Sequence, residues 1–233
     1  MKRIFVIALL ASVFTAQAQK EERKRIEGSG NVINREVAVQ SFDELDASGL
    51  FNLRLSQGDK EQVKIEAEDN LQELFIVRME GSKLSISMKK NVNINTKKKM
   101  NVYVTFKKLK AMDLSMVGGT YSDEPLSFAD LRLNNQSVGS VNLDLSAQSM
   151  RMDNESVGSV KLTGKAENAI IKSSSVGSIQ AGEFVVQKMD INNSGVGSAV
   201  VNAAKELIVS DSFLGKVKNK GGAVVKKTNK TVI

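Results

Sequence analysis

Ser137-Val138-Gly139-Ser140 is a four-residue sequence that this chain repeats. It returns unchanged twice and then with substitutions, as Ser156-Val157-Gly158-Ser159, Ser175-Val176-Gly177-Ser178, Gly195-Val196-Gly197-Ser198 and Phe213-Leu214-Gly215-Lys216. The glycines are 19, 19, 20 and 18 residues apart. A nearly constant period of this length is typical of solenoids, in which each repeat is one structural unit stacked on the next. The sequence from 131 to 217 therefore predicts a stack of short coils.

Apolar residues flank each glycine at alternate positions. Before the glycine they are Leu131 and Leu133, Met150 and Met152, Ala169 and Ile171, Met189 and Ile191, and Leu207 and Val209. After it they are Val141 and Leu143, Val160 and Leu162, Ile179 and Ala181, and Ala199 and Val201. A period of two is the pattern of a half-buried strand, whereas a helix needs apolar residues three and four apart. We expect parallel strands stacked about 4.8 Å apart, with these columns in a narrow interior.

Another apolar column directly precedes the glycine, and we count it among the columns that fill the interior. It consists of Val138, Val157, Val176, Val196 and Leu214. The glycines themselves, with the neighbouring serines, predict a turn in which glycine accepts backbone angles that other residues resist. These turn residues are Gly139, Gly158, Gly177, Gly197 and Gly215.

Polar residues form two further columns around each turn. Four residues before the glycine stand Asn135, Asn154, Ser173, Asn193 and Asp211. Stacked amides can hydrogen-bond along such a column, so we interpret it as a structural ladder, with a ligand-binding role as the alternative. One residue after the glycine stand Ser140, Ser159, Ser178 and Ser198. Because the chain has no histidine to activate a serine, we interpret this column as turn chemistry rather than nucleophiles.

The whole chain is expected to divide into five parts. Residues 1–18 combine a charged start, a short apolar stretch and a small-residue cleavage pattern, which indicate a signal peptide and a mature chain beginning at Gln19. A flexible leader is expected at 19–30, a β-rich part at 31–110, the solenoid at 111–225 and a basic tail at 226–233. No later apolar stretch is long enough to predict a transmembrane span.

The part at 31–110 has the pattern of antiparallel strands and hairpins. Turns are predicted at 57–59, between strands at 49–55 and 63–67, and at 80–82. A short helix is predicted at 71–74, with Asp69 and Asn70 at its N-cap. Met112 and Leu114 stand 19 residues before Leu131 and Leu133, which places Met116 in the ladder column. The fold class predicted is all-β, with these strands leading into a single-stranded, right-handed, parallel β-helix-like solenoid.

Composition limits the chemistry. With no histidine and no cysteine among 233 residues, the usual zinc ligands, the thiol nucleophile and the commonest general base are missing. We therefore expect no metal and no cofactor. The net charge of +7 comes from lysine clusters, which we interpret as solvated faces and protected strand edges, with anionic envelope polymers or lipopolysaccharide as alternative partners. Few aromatic residues stand among the lysines, which argues against nucleic acid.

The order of these motifs resembles a known family over residues 35 to 220. The motifs are Gly49-Leu50-Phe51-Asn52-Leu53, Gln57-Gly58-Asp59, Val63-Lys64-Ile65-Glu66-Ala67, Asp69-Asn70-Leu71, Leu84-Ser85-Ile86, Val102-Tyr103-Val104 and the Ser-Val-Gly-Ser coils. They resemble the family called putative auto-transporter adhesin, head GIN domain. The resemblance implies an all-β protein of the bacterial envelope, periplasmic, on the cell surface or secreted, with a β-helix-like C-terminal part. It assigns no catalytic residues.

Three functions remain open at this point. The first is a non-catalytic envelope or surface protein that binds a glycan or another surface polymer through a face rich in Ser and Asn. The second is a carbohydrate-active lyase or hydrolase, with Asp153, Glu155 and Lys172 as the candidate surface site, because such chemistry needs carboxylates or a basic residue with acidic partners. The third is homotypic assembly. A pocket with several carboxylates favours the second function, and a large bare apolar face favours the third.

Overall fold

The protein is an all-β molecule with 65% strand and 3% helix. The computed structural model describes residues 24–212 and 214–228. The predicted signal peptide, the first residues of the leader, Phe213 and the end of the basic tail lie outside these ranges.

The strands are β1 (Lys24–Glu27), β2 (Val32–Val37), β3 (Glu44–Gly49), β4 (Asn52–Gln57), β5 (Gln62–Glu68), β6 (Phe75–Glu80), β7 (Lys83–Met88), β8 (Val92–Asn95), β9 (Asn101–Phe106), β10 (Ala111–Met116), β11 (Thr120–Ser122), β12 (Leu126–Asn135), β13 (Val141–Asn154), β14 (Val160–Ser173), β15 (Ile179–Asn193), β16 (Ala199–Asp211), β17 (Val217–Asn219) and β18 (Val224–Lys227).

Stacked parallel coils form a solenoid of about six turns, as the repeats predict. From β13 to β16, each long strand runs from one Ser-Val-Gly-Ser corner to the next and pairs in parallel with the strands before and after it. Equivalent residues lie side by side, as in the file Leu133, Met152, Ile171, Ile191 and Val209. The repeat period is therefore the circumference of one coil.

The solenoid begins earlier than residue 111, the boundary that the sequence suggested. β10 pairs in parallel with β3, and β11 pairs in parallel with β4, so residues 44–57 already form a coil. Residues 58–110 are an excursion from this first coil. The register of the second coil also differs, because Met112 lies opposite Leu133 and Leu114 lies opposite Asn135. The spacing is 21 residues rather than 19, since the loop around Pro125 is longer, and Leu114 rather than Met116 stands in the ladder column.

The excursion widens both sheets of the solenoid at its N-terminal end. β6 and β7 form the predicted hairpin, with Gly81 at φ 62° in its turn, and β7 pairs in parallel with β3. The hairpin predicted around the turn at 57–59 is wrong, because β9 lies between β4 and β5. β9 is parallel to β4 and antiparallel to β5, and β2 follows as the outer strand.

The predicted leader is partly structured. Its residues 24–27 form β1, which pairs in parallel with β8, and the backbone N–H of Gly30 donates to Glu68 Oε1 at 2.6 Å. The predicted helix is a 3-10 helix, Asp69–Leu74, and Asp69 belongs to its first turn instead of capping it. No helix among the described residues is long and apolar enough to cross a membrane.

The core runs along the solenoid axis and contains the alternating apolar columns. Leu133, Met152, Ile171 and Ile191 are fully buried. The column that precedes the glycines is a correction, because solvent reaches 55% of Val138 and 60% of Val176. These side chains point outward at the corner and do not fill the interior.

The corner glycines are required by close contact and not by an unusual backbone angle. None of Gly139, Gly158 or Gly177 has a positive φ. A Cβ on Gly158 would lie 2.4 Å from the carbonyl oxygen of Gly139, and one on Gly177 would lie 2.2 Å from that of Gly158. Each corner therefore rests directly on the backbone of the corner before it, which only glycine allows.

Candidate ligand-binding face

Two files of outward side chains run across the sheet that contains β3 and β10. We call this surface the polar face. The first file is Asp46, Asp113, Asn134, Asp153, Lys172, Asn192 and Ser210, which are neighbours in the strand register. The second file is Gln136, Glu155, Ser174, Ser194 and Ser212. Period-two alternation places these short polar and charged side chains outside while their neighbours fill the core. The result is a surface with hydrogen-bonding groups at regular intervals.

The amide column lies behind this face and is buried. Asn135 Nδ2 donates to Asn154 Oδ1 at 2.8 Å, and Asn154 Nδ2 donates to Ser173 Oγ at 3.3 Å. Asn193 Nδ2 donates to the carbonyl oxygens of Gly197 and Gly215 at 2.8 and 2.9 Å. All of these bonds except the one to Gly197 connect successive coils, and they satisfy donors that would be costly to bury alone. Asn193 Oδ1 is buried without a hydrogen-bond partner among the described residues. Asn135, Asn154, Ser173 and Asn193 are buried, whereas Asp211 at the C-terminal end of the column is partly exposed and lines the depression described below.

The candidate site Asp153, Glu155 and Lys172 lies on the polar face. Asp153 and Lys172 are neighbours in the register of β13 and β14. Asp153 Oδ2 also accepts from Arg151 Nε at 3.2 Å, and both of these side chains remain more than a third exposed. An ion pair between side chains this exposed contributes little to stability. The structure places Asp153 beside Lys172, with Glu155 two residues further along the chain, directly after the end of β13.

A second pair of carboxylates on this face was missed by the sequence reasoning. Asp46 of β3 lies beside Asp113 of β10, although the two are far apart in sequence. Burial raises the pKa of the Asp46 carboxyl, and the charge of Asp113 raises it further. Asp113 is held by Asn134 Nδ2 at 2.6 Å and Arg132 Nη2 at 3.3 Å. Only the parallel pairing of β3 with β10 creates this pair, so no local sequence pattern could have predicted it.

The C-terminal end of the polar face contains a shallow depression of about 370 Å³. Asn192, Ser194, Ser210 and Ser212 line it from two adjacent coils, and Lys227 of β18 lies at its side. Lys227 Nζ is 3.6 Å from Asp211 Oδ1. The lining also includes Asp211, so it offers amide, hydroxyl, carboxylate and ammonium groups within a small area. Such a set can form several hydrogen bonds with a polyhydroxylated ligand.

No group of three or more Asp or Glu residues in the described ranges is arranged to hold a metal ion. The serines that follow the corner glycines contact each other instead of a base, as in the 3.3 Å distance between Ser159 Oγ and Ser178 Oγ. The polar face presents hydroxyl, amide, carboxylate and ammonium groups to the solvent.

Solved structures of bacterial proteins share this architecture. A putative adhesin from Bacteroides fragilis is 26% identical, with a TM-score of 0.76 over 87% of this chain and 100% of that chain. A putative lipid binding protein from Parabacteroides distasonis is 21% identical, with a TM-score of 0.68 over 88% and 95% of the two chains. A putative adhesin from Parabacteroides merdae is 19% identical, with a TM-score of 0.61 over 88% and 95%.

The likeness to the two Parabacteroides proteins concerns the fold alone. No curated protein sequence matches the chain. A family model, however, matches residues 41–223, which include every solenoid coil from β3 to β17. The chain belongs to the family described as putative auto-transporter adhesin, head GIN domain.

Proposed function

We propose that this protein is a non-catalytic adhesin of the bacterial envelope, exported by its N-terminal signal peptide, which binds a glycan or a similar polyhydroxylated polymer through the polar face. The observation that carries the proposal is the regular spacing of short polar side chains across adjacent coils, which ends in the depression at Asn192 and Ser210. Repeated weak contacts along a polymer add to a useful affinity because later contacts are intramolecular. The family and the Bacteroides fragilis adhesin support an adhesive role.

The rigidity of the face supports the same function. Hydrogen bonds of the buried amide column connect its strands on the core side. The outward side chains therefore keep a fixed spacing of about 4.8 Å between coils. A preorganised surface loses little conformational entropy when it binds an extended polymer.

The experiment is a glycan-array screen with the exported protein, followed by analysis of each bound glycan for cleavage. We expect retention of a glycan without cleavage, and Asn192→Ala is expected to weaken binding about tenfold, since one hydrogen-bonding group at the depression is lost. Asn142→Ala is the matched control, because Asn142 is an exposed asparagine that pairs in register with Tyr121 and Lys161 and lies outside both files of the polar face.

Two results would contradict the proposal. Equal loss of binding in both variants would mean that the depression is not the contact site. Cleavage of the glycan that is abolished by Asp153→Asn would instead support the carbohydrate-active enzyme.

A further inference from the structure

Exposed aliphatic side chains form a straight row along the corner of the solenoid. We call it the corner row. Its members are Leu50, Val117, Val138, Val157, Val176, Val196 and Leu214, whose exposed fractions range from 47% to 61%. The backbone hydrogen bonds of successive corners place them in file, for example Val157 N to Ser137 O and Val176 N to Ser156 O. At about 4.8 Å per coil, seven residues span about 29 Å.

The corner row differs from the other outward columns in its uniformity. On the polar face, one file changes from Asn134 to Asp153 to Lys172 in three successive coils. The corner row keeps an aliphatic residue at every pass of the corner. A continuous exposed apolar feature of this length on a folded protein indicates an interaction surface.

Basic residues surround the N-terminal end of the corner row. Leu50 and Ile94 lie between two clefts of about 640 and 340 Å³ and line both of them. The larger cleft is also lined by Arg78, Lys89 and Lys90, and the smaller one by Lys98 and Lys99. None of the described residues that line either cleft is acidic.

Within the part of the chain that the structure describes, none of these five cations is in an ion pair with a carboxylate. The floor of the larger cleft is apolar, with Ile76, Met88 and Val92. An apolar row that ends in a group of lysines matches a bilayer surface, where apolar side chains enter the acyl region and lysines contact anionic head groups.

We propose that the corner row and the cations at its N-terminal end form a membrane-contact surface, which lays the solenoid axis along a bilayer that contains anionic lipids. A second copy of the chain fits this surface less well. A stable interface uses roughly 20–30 residues from each partner, whereas the corner row is one residue wide and offers seven. A lipid surface needs no complementary shape, and its charge matches that of the clefts. The proposal is independent of the glycan-binding function.

The test is flotation of the exported, processed protein with two kinds of vesicle. One is made of phosphatidylcholine alone and the other of phosphatidylcholine mixed with phosphatidylglycerol. We expect binding to the anionic vesicles, weaker binding to the neutral ones, and a loss of the difference at high salt because salt screens the lysine charges.

Matched variants separate the two parts of the surface. Val157→Asp with Val176→Asp is expected to reduce partitioning about tenfold, because charged groups are costly in the acyl region. Ile170→Asp is the control, since Ile170 is 42% exposed but lies in register with Arg151 and Asp190, away from the corner row. Lys89→Glu with Lys90→Glu is expected to reduce binding to anionic vesicles about fivefold per lysine. Lys161→Glu with Lys165→Glu changes the net charge equally at exposed positions away from the clefts.

Three outcomes would overturn the proposal. The first is unchanged vesicle binding by the folded Val157→Asp, Val176→Asp variant. The second is a wild-type dimer in sedimentation velocity that this variant dissociates, without vesicle binding, because a second copy would then cover the row. The third is stoichiometric binding of dodecyl phosphate below its micelle concentration without vesicle binding, which would make the clefts a site for a single amphiphile.

Discussion

At the scale of single residues, the corner glycines determine how closely two coils can approach. A methyl group on Gly158 would lie 2.4 Å from the Gly139 carbonyl oxygen, which is backbone and cannot move aside. We therefore expect Gly158→Ala to lower the free energy of unfolding by about 1–3 kcal/mol, the usual range for overpacking. Gly222→Ala is the control, because its nearest neighbour is 3.8 Å away, and it should change stability by less than about 0.5 kcal/mol. Urea unfolding measures both, and equal losses would contradict the explanation.

The buried amide column makes a second prediction at this scale. Asn154 accepts from Asn135 and Ser156 and donates to Ser173. Asn154→Leu removes the acceptor of Asn135 Nδ2, whereas Ser156 Oγ still has the Gly158 carbonyl oxygen and Ser173 Oγ still has Ser175 Oγ. We expect a loss of about 1–3 kcal/mol, the usual cost of one unsatisfied buried group. Asn154→Ser should lose less, because serine occupies the same column position at residue 173. Thermal unfolding of the two variants compares them. A leucine variant as stable as the serine variant would show that the column bonds contribute nothing.

The Asp69 carboxyl makes a pH prediction. Hydrogen bonds from Ser29 and Asn31 lower the pKa of Asp69, because they favour its charged form. A lowered pKa in the folded state stabilises the fold above the unfolded value, and this contribution is lost as the pH falls through the folded value. We expect Ser29→Ala to move the pKa of Asp69 up toward its usual value, measured by NMR titration of the carboxyl carbon. An unchanged titration would show that Ser29 does not reach Asp69 in solution.

The outward direction of Val138 was available in the sequence and was misjudged. Counting by two from Leu133 passes through Asn135 and Ser137 and arrives at Val141, which are all buried. Val138 falls between these positions and is exposed. The error came from giving polarity more weight than period, so that an apolar column was assumed to be internal. The strand period is the stronger evidence, because the pleat determines whether a side chain points to the core or to the solvent. The polarity of a side chain does not determine this, since a binding surface can expose apolar residues.

At the scale of secondary structure elements, the first coil depends on a buried aromatic corner. Phe51 is fully buried where later coils have glycine, and its ring centroid lies 5.6 Å from that of Phe75. Phe51→Ala should leave a cavity and lower the free energy of unfolding by about 3–5 kcal/mol. Its exposed neighbour Leu50 is the control, and Leu50→Ala should cost less than about 1 kcal/mol. Urea unfolding measures both, and a small loss for Phe51→Ala would show that the corner can collapse.

Strand pairing could be predicted where the paired residues are separated by one short repeat in the sequence, and it could not be predicted where they are far apart in the sequence. The coils pair at a fixed short spacing, and one repeated motif was enough to predict their strands. β4 and β9 pair between residues that are 49 positions apart, as with Asn52 and Asn101, and no local pattern indicates that contact. The sequence favoured a hairpin between β4 and β5, which is the ordinary arrangement for neighbouring strands. The insertion of β9 between them could be seen only in the structure.

At the scale of the whole molecule, the part of the candidate site that the repeats form could be predicted from the sequence, and the part that non-repeating segments form could not. The files of the polar face could be predicted from the repeats, because residues such as Asn134 and Asp153 differ by one period. The depression could not, since it also requires Lys227 from a strand after the last complete coil. The pairing of Asp46 with Asp113 depends in turn on the excursion at 58–110. The repeats therefore predict the middle of the solenoid, and the sites at its two ends arise from non-repeating chain.

The two ends of the solenoid are protected unequally, which predicts the order in which it opens. Each coil contacts only its neighbours, so opening should begin at the less protected end. β5 and β9 and the β6–β7 hairpin cover the N-terminal end, whereas β17 and β18 are short and all four residues of β18 are exposed. We expect amide hydrogen exchange to be fastest in β17 and β18 and slowest in β14 and β15. Mass spectrometry of peptides from each coil measures this gradient. Gly158→Ala, in the middle of the stack, should split the protected block without changing exchange at β18. Equal exchange from β14 to β18 would instead mean that the solenoid opens as one cooperative unit.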